Sequence, residues 1–162
     1  MLCSKEFYST FIETPLGPMI AIADDVSLYL LEFADKKSLE HGNIVKGTPP
    51  PIISIKCELK SYFDKTLQNF QTPICMVGSD FQKKAWEELR RTPYGETRSY
   101  LNQATNLGKP TAFRAVANAN GANKLAVIIP CHRIIRSNGA LGGYAGGIEK
   151  KEWLIRHENL YE

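Results

Sequence analysis

Short apolar runs separated by turn residues dominate the first 75 residues of the chain. Residues 7–13 alternate in part between apolar and polar, and residues 19–23 and 26–33 are two further apolar runs joined at Asp24-Asp25. Runs of this length, bounded by polar residues, are typical of β-strands and their turns. The pattern therefore predicts three strands, with a turn at residues 14–18 between the first two.

A helical period follows residues 36–51, a polar stretch that is predicted to be a loop. Ile52, Ile55, Leu59, Tyr62 and Phe63 recur at the spacing of one helix face. Residues 71–78 then predict a connector. We therefore expect two domains, 1–75 and 76–162, of which the first contains the strands and one helix.

The second half is predicted to be mainly helical. Ser79 and Gln82 form a capping-box pattern, and the apolar face of the helix that follows consists of Phe81, Ala85, Trp86 and Leu89. A short helix from about residue 99 ends at Gly108, which suits a C-cap. Pro110 and Thr111 open another helix that runs to about residue 120. Two helices joined by a glycine-containing turn have the spacing of a helix-turn-helix.

Three further segments complete the second half. The apolar run at residues 125–129 predicts a buried strand, which Pro130 ends because it cannot donate to the hydrogen-bond ladder. Residues 138–147 are rich in glycine, and a final helix is predicted over residues 148–158.

Composition and charge favour a globular protein with a basic second half. Hydrophobic residues make up 43% of the chain and charged residues 23%, as in soluble domains. Residues 1–75 contain 7 Lys and Arg against 9 Asp and Glu, whereas residues 76–162 contain 13 against 8. This asymmetry suggests a polyanionic partner. An ordinary solvated surface explains the charge equally well.

The chain shows no feature of a membrane or secreted protein. No run approaches the roughly 18 apolar residues of a membrane span, and the N-terminal residues lack the apolar core of a signal peptide. The cysteines contain no Cys-x-x-Cys pair, which argues against a disulfide framework or a zinc ribbon. A reducing, cytosolic location fits best, and we interpret Cys3, Cys57 and Cys75 as small buried hydrophobic residues.

Cys131 differs from the other cysteines because His132 and Arg133 follow it directly. A neighbouring proton acceptor and a permanent cation both favour the thiolate, which is the nucleophilic form. Glu158, at the end of the predicted last helix, supplies the third member of a Cys-His-carboxylate set. Neighbouring residues of a strand point to opposite faces, so His132 reaches the sulfur only through a turn or a water. His157 competes for the role of base.

The second helix of the predicted helix-turn-helix carries small residues and a single cation, Arg114. A helix that reads DNA sequence usually presents several polar side chains to the major groove. Small residues such as Ala112 and Ala115 allow close approach to a backbone, and one long cation can enter a groove or the base stack. This profile fits DNA binding without sequence specificity. A small-residue helix packed in the core is the alternative.

The glycine-rich residues 142–147 have three interpretations. A phosphate cradle is weakly supported because no Gly-Lys-Ser/Thr follows. A flexible hairpin turn is the second. The third is a pocket wall, in which Tyr144 supplies a stacking face and the glycines expose backbone N–H groups.

Together these residues resemble the O6-alkylguanine-DNA alkyltransferases, also called methylated-DNA–protein-cysteine methyltransferases. The resemblance covers the second half of the chain, whereas the first half matches loosely around residues 14–17. It rests on these motifs in this order: the helix at 81–89, Arg98-Ser99-Tyr100, Arg114-Ala115-Val116, Asn123, Pro130-Cys131-His132-Arg133, Gly143-Tyr144-x-Gly-Gly147 and Lys151-x-Trp153-Leu154-x-x-His157-Glu158.

The resemblance implies an α+β fold. Its first part is a small N-terminal α/β domain made of an RNase H-like sheet and a helix. Its second part is a mainly helical C-terminal domain with a winged helix-turn-helix-like DNA-binding motif.

The resemblance also implies roles in catalysis. Cys131 accepts the alkyl group, His132 deprotonates it through a water, and Glu158 holds His132. Tyr100 donates a proton or hydrogen bond to the ring nitrogen of guanine as the base leaves. Asn123 braces the active-site turn.

Further roles concern DNA and the base pocket. Arg114 takes the place of a flipped base, and the other DNA-binding residues implied are Ser99, Thr111, Ala112 and Ala115. In the pocket, the carbonyls of Cys131 and Ile134 accept from the amino group of guanine. The backbone N–H of Ala145 faces O6, and Tyr144 lines the pocket. Gly146, where some relatives carry a bulky residue, suggests room for groups larger than methyl.

The implied function is DNA repair by direct reversal. A methyl or larger alkyl group moves from O6 of guanine, and O4 of thymine, in duplex DNA to Cys131, with base flipping. The thioether product is not readily cleaved, so each molecule acts once. No metal is expected, because Cys3 has no partner set and His41 falls in the loop. No cofactor and no phosphotriester-repair domain of the kind found in some bacterial relatives are expected either. The expected protein is a monomer that binds double-stranded DNA containing O6-alkylguanine and no membrane. It is cytoplasmic and nucleoid-associated, or nuclear if eukaryotic.

Two other functions stay open. A Cys-His-Glu hydrolase or amidotransferase explains the triad but neither the helix-turn-helix nor the basic half. A damage binder without chemistry, like the alkyltransferase-like proteins, explains the DNA-binding features. Those proteins replace the acceptor cysteine, which is present here as Cys131.

Overall fold

The computed structural model describes residues 6–34 and 45–159. The chain divides into two compact units, Met1–Met76 and Val77–Glu162. Cys3, His41 and most of the predicted loop at residues 36–51 lie outside the described residues. None of the helices in the described part of the chain combines the length and apolar character needed to cross a membrane.

Within residues 6–34 and 45–76, the first unit consists of a four-stranded sheet and one helix. Its elements are β1 (Tyr8–Ile12), β2 (Met19–Ala23), β3 (Leu28–Phe33), β4 (Val45–Lys46) and α1 (Pro50–Phe63). The strand order is β3-β2-β1-β4, with β1 parallel to β4 and the other neighbours antiparallel. The three predicted strands are confirmed, whereas β4 has no counterpart in the predicted pattern.

Helix α1 packs its apolar face against β2 and completes the core of the first unit. It begins at Pro50, two residues before the predicted start, because proline at the first helical positions lacks only an N–H that would have no helical partner. Cys57 is exposed on α1 and Cys75 is half-buried. The interpretation of Cys57 as a buried hydrophobic residue is therefore wrong.

The described part of the second unit, residues 77–159, contains four α-helices, two short strands and a 3₁₀ helix. They are α2 (Asp80–Arg90), β5 (Arg98–Ser99), α3 (Tyr100–Asn106), α4 (Phe113–Gly121), the 3₁₀ helix (Cys131–Arg133), β6 (Ile134–Ile135) and α5 (Ile148–Glu158). The predicted capping box of α2 is confirmed, because the side chains of Ser79 and Gln82 each accept from the other's backbone N–H.

Helices α3 and α4 form the predicted helix-turn-helix pair. Gly108, with φ of +74°, follows the end of α3 as expected for a helix C-cap. Helix α4 begins three residues later than predicted, because Pro110 and Thr111 lie in a turn closed by a hydrogen bond from Ala112 N–H to the carbonyl of Lys109 (2.9 Å).

Buried amides connect the two helices of this pair. Gln103 on α3 and Asn120 on α4 exchange two hydrogen bonds of 2.9 and 2.8 Å. Gln103 also donates to the carbonyl of Ala85 on α2, and the indole of Trp86 donates to the carbonyl of Ala119. Buried polar groups that satisfy each other fix one arrangement of helices, because any other leaves them unpaired.

The predicted strand at residues 125–129 is wrong. The segment is buried, as expected, but it consists of turns in which Ile128 N–H donates to Ala126 and Ile129 N–H to Leu125. Val127 adopts φ of +71°, which a strand does not allow. An apolar run therefore predicts that a segment is buried but not that it is a strand. Here hydrogen bonds within the turns pair backbone groups that strand pairing would otherwise satisfy.

Parallel pairing of β5 with β6 positions the site. Arg98 pairs with Ile134 and Ser99 with Ile135. The first residue of α3, Tyr100, is thereby brought beside the segment that follows Cys131. Neither two-residue strand has a counterpart in the predicted pattern.

Candidate active site

Cys131 begins the 3₁₀ helix and forms part of the wall of a cavity of about 230 Å³. Its side chain is buried, with 8% of the residue exposed. The lining residues are Tyr100, Ala117, Asn118, Asn120, Gly121, Cys131, Gly143, Tyr144 and Ala145. The cavity therefore joins α3, α4, the 3₁₀ helix and the glycine-rich segment around one thiol.

Asn123 holds the turn that carries Cys131. Its amide N–H₂ donates to the carbonyl of Ile129 at 2.9 Å and lies 3.4 Å from the Cys131 sulfur. Its side-chain oxygen accepts from Leu125 N–H at 2.9 Å. These contacts replace the missing strand ladder, and they place a donor against the sulfur.

The environment of Cys131 keeps the thiol protonated at rest. Burial raises its pKa, and the opposing contributions of the Asn123 hydrogen bond and the Lys151 charge do not outweigh burial. The expectation that Arg133 favours the thiolate is not met, because the guanidinium is bonded to Glu158 and Thr92. Cys131 therefore needs a base when it reacts.

His132 and Glu158 come together as predicted. The imidazole Nε2 lies 2.8 Å from a carboxylate oxygen, and both side chains are buried. Burial alone would raise the pKa of Glu158, but the charge of His132, which is protonated only at low pH, the hydrogen bonds of His132 and Arg133 and the permanent charge of Arg133 hold it well below its usual range. Burial lowers the pKa of His132, which is therefore neutral near pH 7.

The tautomer of His132 follows from this pairing. An ionised carboxylate only accepts hydrogen bonds, so a neutral His132 donates from Nε2 and keeps its lone pair on Nδ1. Nδ1 is buried and has no hydrogen-bond partner among the described residues. The pair can therefore take up one proton at Nδ1. His157, the competing candidate, stacks on Trp153 with 4.7 Å between ring centroids.

Lys151 is a buried cation at the site to which sequence reasoning assigned no role. Its ammonium donates to the carbonyl of Gly143 at 3.1 Å and to the Tyr100 hydroxyl at 3.4 Å. Burial lowers its pKa from 10.5 to about 8, although the Cys131 thiolate would raise it. The sequence feature that could have placed Lys151 in the site is its spacing from Glu158. The two residues lie seven positions apart, which is two turns along one face of α5.

Two tyrosines line the cavity, and their hydroxyls stay protonated. Burial raises the pKa of Tyr100, and burial raises that of Tyr144 still further. The Tyr144 hydroxyl is buried and has no hydrogen-bond partner among the described residues. Gly142 is required here, because its φ is +73° and an added Cβ would lie 2.7 Å from the Tyr100 hydroxyl.

An open groove of about 430 Å³ shares Tyr100, Ala117 and Gly143 with the Cys131 cavity. Arg114 and Arg136 line it, and the Arg114 side chain on α4 is exposed. A groove with two cations therefore borders the cavity.

The other predicted DNA-binding residues have varied positions. Thr111 and Ala115 are exposed, and Ala112 is the N-cap of α4. The Ser99 hydroxyl caps α3 by accepting from Asn102 N–H at 3.0 Å. Ser99 is therefore also a structural residue of the helix pair.

The predicted pocket residues divide into two groups. Tyr144 and Ala145 line the Cys131 cavity. Ile134, which is buried, and Gly146 are not among its lining residues. In residues 6–34 and 45–159, no three His, Cys, Asp or Glu side chains are grouped to hold a metal ion.

The fold and the site define an α+β protein in which a helix-turn-helix-like pair adjoins a cavity with a buried cysteine. Residues 80–160 match the family model of the 6-O-methylguanine DNA methyltransferase DNA-binding domain. The methylated-DNA–protein-cysteine methyltransferase of Methanosarcina barkeri is 40% identical over 152 residues, which cover 93% of this chain and 96% of that protein.

Two further comparisons agree. The constitutive methylated-DNA–protein-cysteine methyltransferase of Bacillus subtilis is 37% identical over 158 residues, covering 94% of this chain and 96% of that protein. The crystal structure of Mycobacterium tuberculosis OGT in complex with DNA superimposes with a TM-score of 0.85 at 36% identity, covering 95% of this chain and 92% of that one. The chain belongs to the methylated-DNA–protein-cysteine methyltransferase family. It is an enzyme of that class, and its function is DNA repair by alkyl transfer.

Proposed function

We propose that this protein repairs O6-alkylguanine in duplex DNA by moving the alkyl group to the sulfur of Cys131. One observation carries the proposal: the Cys131 thiol lies at a cavity whose wall includes two tyrosines, and the next residue in the chain, His132, is a neutral imidazole paired with an ionised Glu158. A nucleophile, a base and hydrogen-bond donors are the groups that transfer from an aryl ether oxygen needs.

Access to Cys131 requires the damaged base to leave the duplex. A thiol that is 8% exposed cannot reach an atom inside a base stack, so the nucleotide rotates into the cavity at a cost of a few kcal/mol. Arg114, exposed at the adjoining groove, offsets part of this cost by filling the vacated stack. Thr111, Ala112, Ala115 and Ser99 approach the DNA backbone around it, and small side chains permit that approach.

The thiol loses its proton as the reaction begins. His132 takes this proton at Nδ1 through a water, and Glu158 stabilises the imidazolium that forms. The Asn123 amide and the Lys151 charge stabilise the thiolate that remains. Because burial disfavours a resting thiolate, Cys131 is protected from other electrophiles until a base fills the cavity.

Transfer then forms the sulfur–carbon bond as the carbon–O6 bond breaks. The electron pair passes to guanine, whose ring nitrogen takes a proton from the Tyr100 hydroxyl. Donors placed where this charge appears lower the barrier, and the Lys151 ammonium 3.4 Å from the Tyr100 oxygen steadies the phenolate.

The remaining pocket groups select the base. The backbone N–H of Ala145 faces O6, the carbonyls of Cys131 and Ile134 accept from the guanine amino group, and Tyr144 stacks on the base. Gly146 leaves room for groups larger than methyl. O4-methylthymine presents a similar alkyl ether and is a second substrate.

The protein works as a monomer without a cofactor, and it acts near DNA in the cytoplasm, or in the nucleus of a eukaryote. Its product is a thioether, which water and thiols do not readily cleave. Each molecule therefore acts once.

The mass of the Cys131 peptide tests the proposal. Incubation with a duplex containing one O6-methylguanine should add one methyl group to that peptide and restore guanine in the DNA. Cys131→Ser should add none, while Cys57→Ser, which alters an exposed cysteine of the first unit, should behave as the unaltered protein. A methyl group on another residue, or on none, refutes the assignment of Cys131.

A further inference from the structure

Arg133 is a buried cation with no task in the reaction proposed above. Its Nε donates to Glu158 Oε1 at 2.7 Å, and its Nη2 donates to Oε2 at 3.0 Å. Its Nη1 donates to the carbonyl of Thr92 at 2.8 Å, and 7% of the residue is exposed. A guanidinium fork that occupies both oxygens of a carboxylate is the strongest geometry for such a pair.

The carboxylate oxygen that His132 contacts is also held by Arg133. Glu158 Oε2 lies 2.8 Å from His132 Nε2 and accepts from Arg133 Nη2. The two residues adjacent in sequence thus meet on one carboxylate from the last helix, and the guanidinium is not bonded to the thiol.

We propose that Arg133 is a positioning residue: it keeps Glu158 an ionised acceptor, so that His132 carries its proton on Nε2 and its lone pair on Nδ1. The proposal rests on the function proposed above, in which His132 is the base for Cys131. It assigns Arg133 an action through Glu158 and His132 rather than on the sulfur.

The alternative protonation state would disable the base. A protonated Glu158 can donate to Nε2, and the imidazole proton would then lie on Nδ1, where no acceptor is found among the described residues. A histidine in the wrong tautomer keeps its geometry but loses its function as a base. Arg133 prevents this state, because its charge is permanent and both carboxylate oxygens already accept from it.

The charges of the cluster support the same conclusion. A neutral His132 with Glu158 and Arg133 gives a buried group with no net charge, whereas an imidazolium adds one positive charge. Burial lowers the pKa of His132, and Arg133 and Lys151 lower it further against the effect of Glu158. The other titratable groups that face this pair are Tyr94 and Tyr144, which stay neutral, and Cys131.

The pH dependence of transfer tests this role. In Arg133→Met, Glu158 ionises less readily and the imidazole is protonated more readily, so both changes remove the base at low pH. The acid limb of the rate of transfer from an O6-methylguanine duplex should move to higher pH by about one unit. The variant should then be about tenfold slower on the acid side, and within about threefold of the unaltered rate above the limb. An equal loss at every pH means that Arg133 only supports the fold.

A double-mutant cycle shows whether Arg133 acts through Glu158. Glu158→Gln removes the charge that Arg133 is proposed to hold, so adding Arg133→Met should then shift the acid limb clearly less than it does in the unaltered protein, because only the direct repulsion between Arg133 and the imidazolium remains. Additive shifts overturn the proposal. Arg91→Met is the matched control, because Arg91 also pairs with a buried glutamate, Glu88 at 3.5 Å, and lines neither cavity. It should leave the pH profile unchanged.

Nitrogen NMR of the imidazole provides a readout that needs no DNA. In the unaltered protein at pH 7, His132 should be neutral with its proton on Nε2, and Arg133→Met should mix the two tautomers. A proton on Nδ1, or an imidazolium, in the unaltered protein overturns the proposal. If the unaltered protein transfers no methyl group but Arg133→Met still mixes the tautomers, the proposed function fails while the action of Arg133 on His132 through Glu158 stands.

Discussion

Lys151 shows how one buried charge connects stability with chemistry. Its side chain has no measurable exposure, and its ammonium lies against the Tyr100 ring and hydroxyl. Keeping a cation in such a place disfavours the folded state, since the charged form loses hydration. The same cation lowers the pKa of Cys131, which favours the reactive thiolate. The residue therefore supports the reaction at the expense of stability.

This cost predicts a pH-dependent stability. Between about pH 8, the folded pKa of Lys151, and its ordinary value of 10.5, the unfolded chain binds more protons than the folded one, so the free energy of unfolding rises with pH. Relative to Lys151→Met, the unaltered protein should gain about 1–3 kcal/mol between pH 7 and pH 10 in guanidinium unfolding. Lys83→Met, which removes an exposed lysine of α2, should show no such gain. A constant difference between the unaltered protein and Lys151→Met contradicts a buried charged lysine.

Single residues of the site are only partly predictable from sequence. Cys131 and His132 are adjacent and carry their chemistry in their side chains, so a pattern finds them. The partner of Arg133 could not be predicted in this way. Its position in the sequence suggests that it acts on the nearby Cys131 thiol, but in the folded chain it pairs with Glu158, 25 residues away. Burial produces the pKa of Lys151, and a sequence pattern does not specify how deeply a side chain is buried.

At the scale of elements, the helix pair of α3 and α4 carries the surface that would meet DNA. On its buried side, the two hydrogen bonds between the amides of Gln103 and Asn120 and the hydrogen bond from the Trp86 indole to the Ala119 carbonyl hold the helices in place. Its exposed side presents Arg114 to the groove beside the cavity. A firmly packed helix pair that carries one long exposed cation suits insertion into the base stack of DNA. The conformational entropy of ordering the helices is lost when the protein folds and not when it binds DNA.

The role of Arg114 predicts a difference between two substrates. Arg114→Ala should slow transfer from an O6-methylguanine duplex by about 10- to 100-fold, since base flipping costs a few kcal/mol and the arginine offsets part of it. Transfer from the free base O6-benzylguanine, which needs no flipping, should change by about twofold or less. Single-turnover rates with both substrates make the comparison.

Arg90→Ala is the matched control for the loss of one positive charge. Arg90 pairs with Glu87 on α2 and lines neither the groove nor the cavity. It should change both rates little. Equal losses with the two substrates in Arg114→Ala would show that Arg114 supports the cavity and does not assist flipping.

Elements with strong local signals are the ones that the sequence predicts. Helix α2 has a capping box and an apolar face, and its start is confirmed at the expected residue. Helix α4 begins late because proline allows a turn as well as a helix start. The segment at 125–129 is predicted wrongly because its hydrophobicity indicates only that it is buried. Its backbone conformation depends on the hydrogen bonds of Asn123 to Leu125 and Ile129, the two ends of the segment. Strands of two residues, such as β5 and β6, are too short to have a pattern.

At the scale of the whole molecule, every residue that is proposed to take part in the reaction lies in the second unit. The match to the family model, residues 80–160, lies within Val77–Glu162, and so do all the predicted site residues. The excess of positive charge also belongs to residues 76–162. A basic unit attracts a polyanion over a distance comparable to the screening length, so association should weaken as salt is added.

A reagent that forms a thioether predicts a stoichiometric limit. With excess O6-methylguanine duplex, repaired guanine should reach about one per protein molecule and stop, because no group in the site can cleave a carbon–sulfur bond. Chromatography of the DNA after long incubation gives the count. Addition of a small thiol should not restart the reaction. Sustained turnover would contradict an irreversible acceptor and would favour a hydrolytic enzyme.

The backbone at Val127 has a consequence for how such chains vary. A left-handed conformation costs a residue with a side chain roughly 1–2 kcal/mol, and burying a valine contributes about 1.5–3 kcal/mol. Val127 has both, with φ of +71° and 1% exposure. Glycine would remove this cost, but it would lose the burial, leave a cavity and lose more backbone freedom on folding, so valine remains the more stabilising residue. Position 127 is therefore expected to keep a buried apolar side chain over evolutionary time in spite of its strained backbone, and such retention would reflect the packing of the fold and not selection on repair.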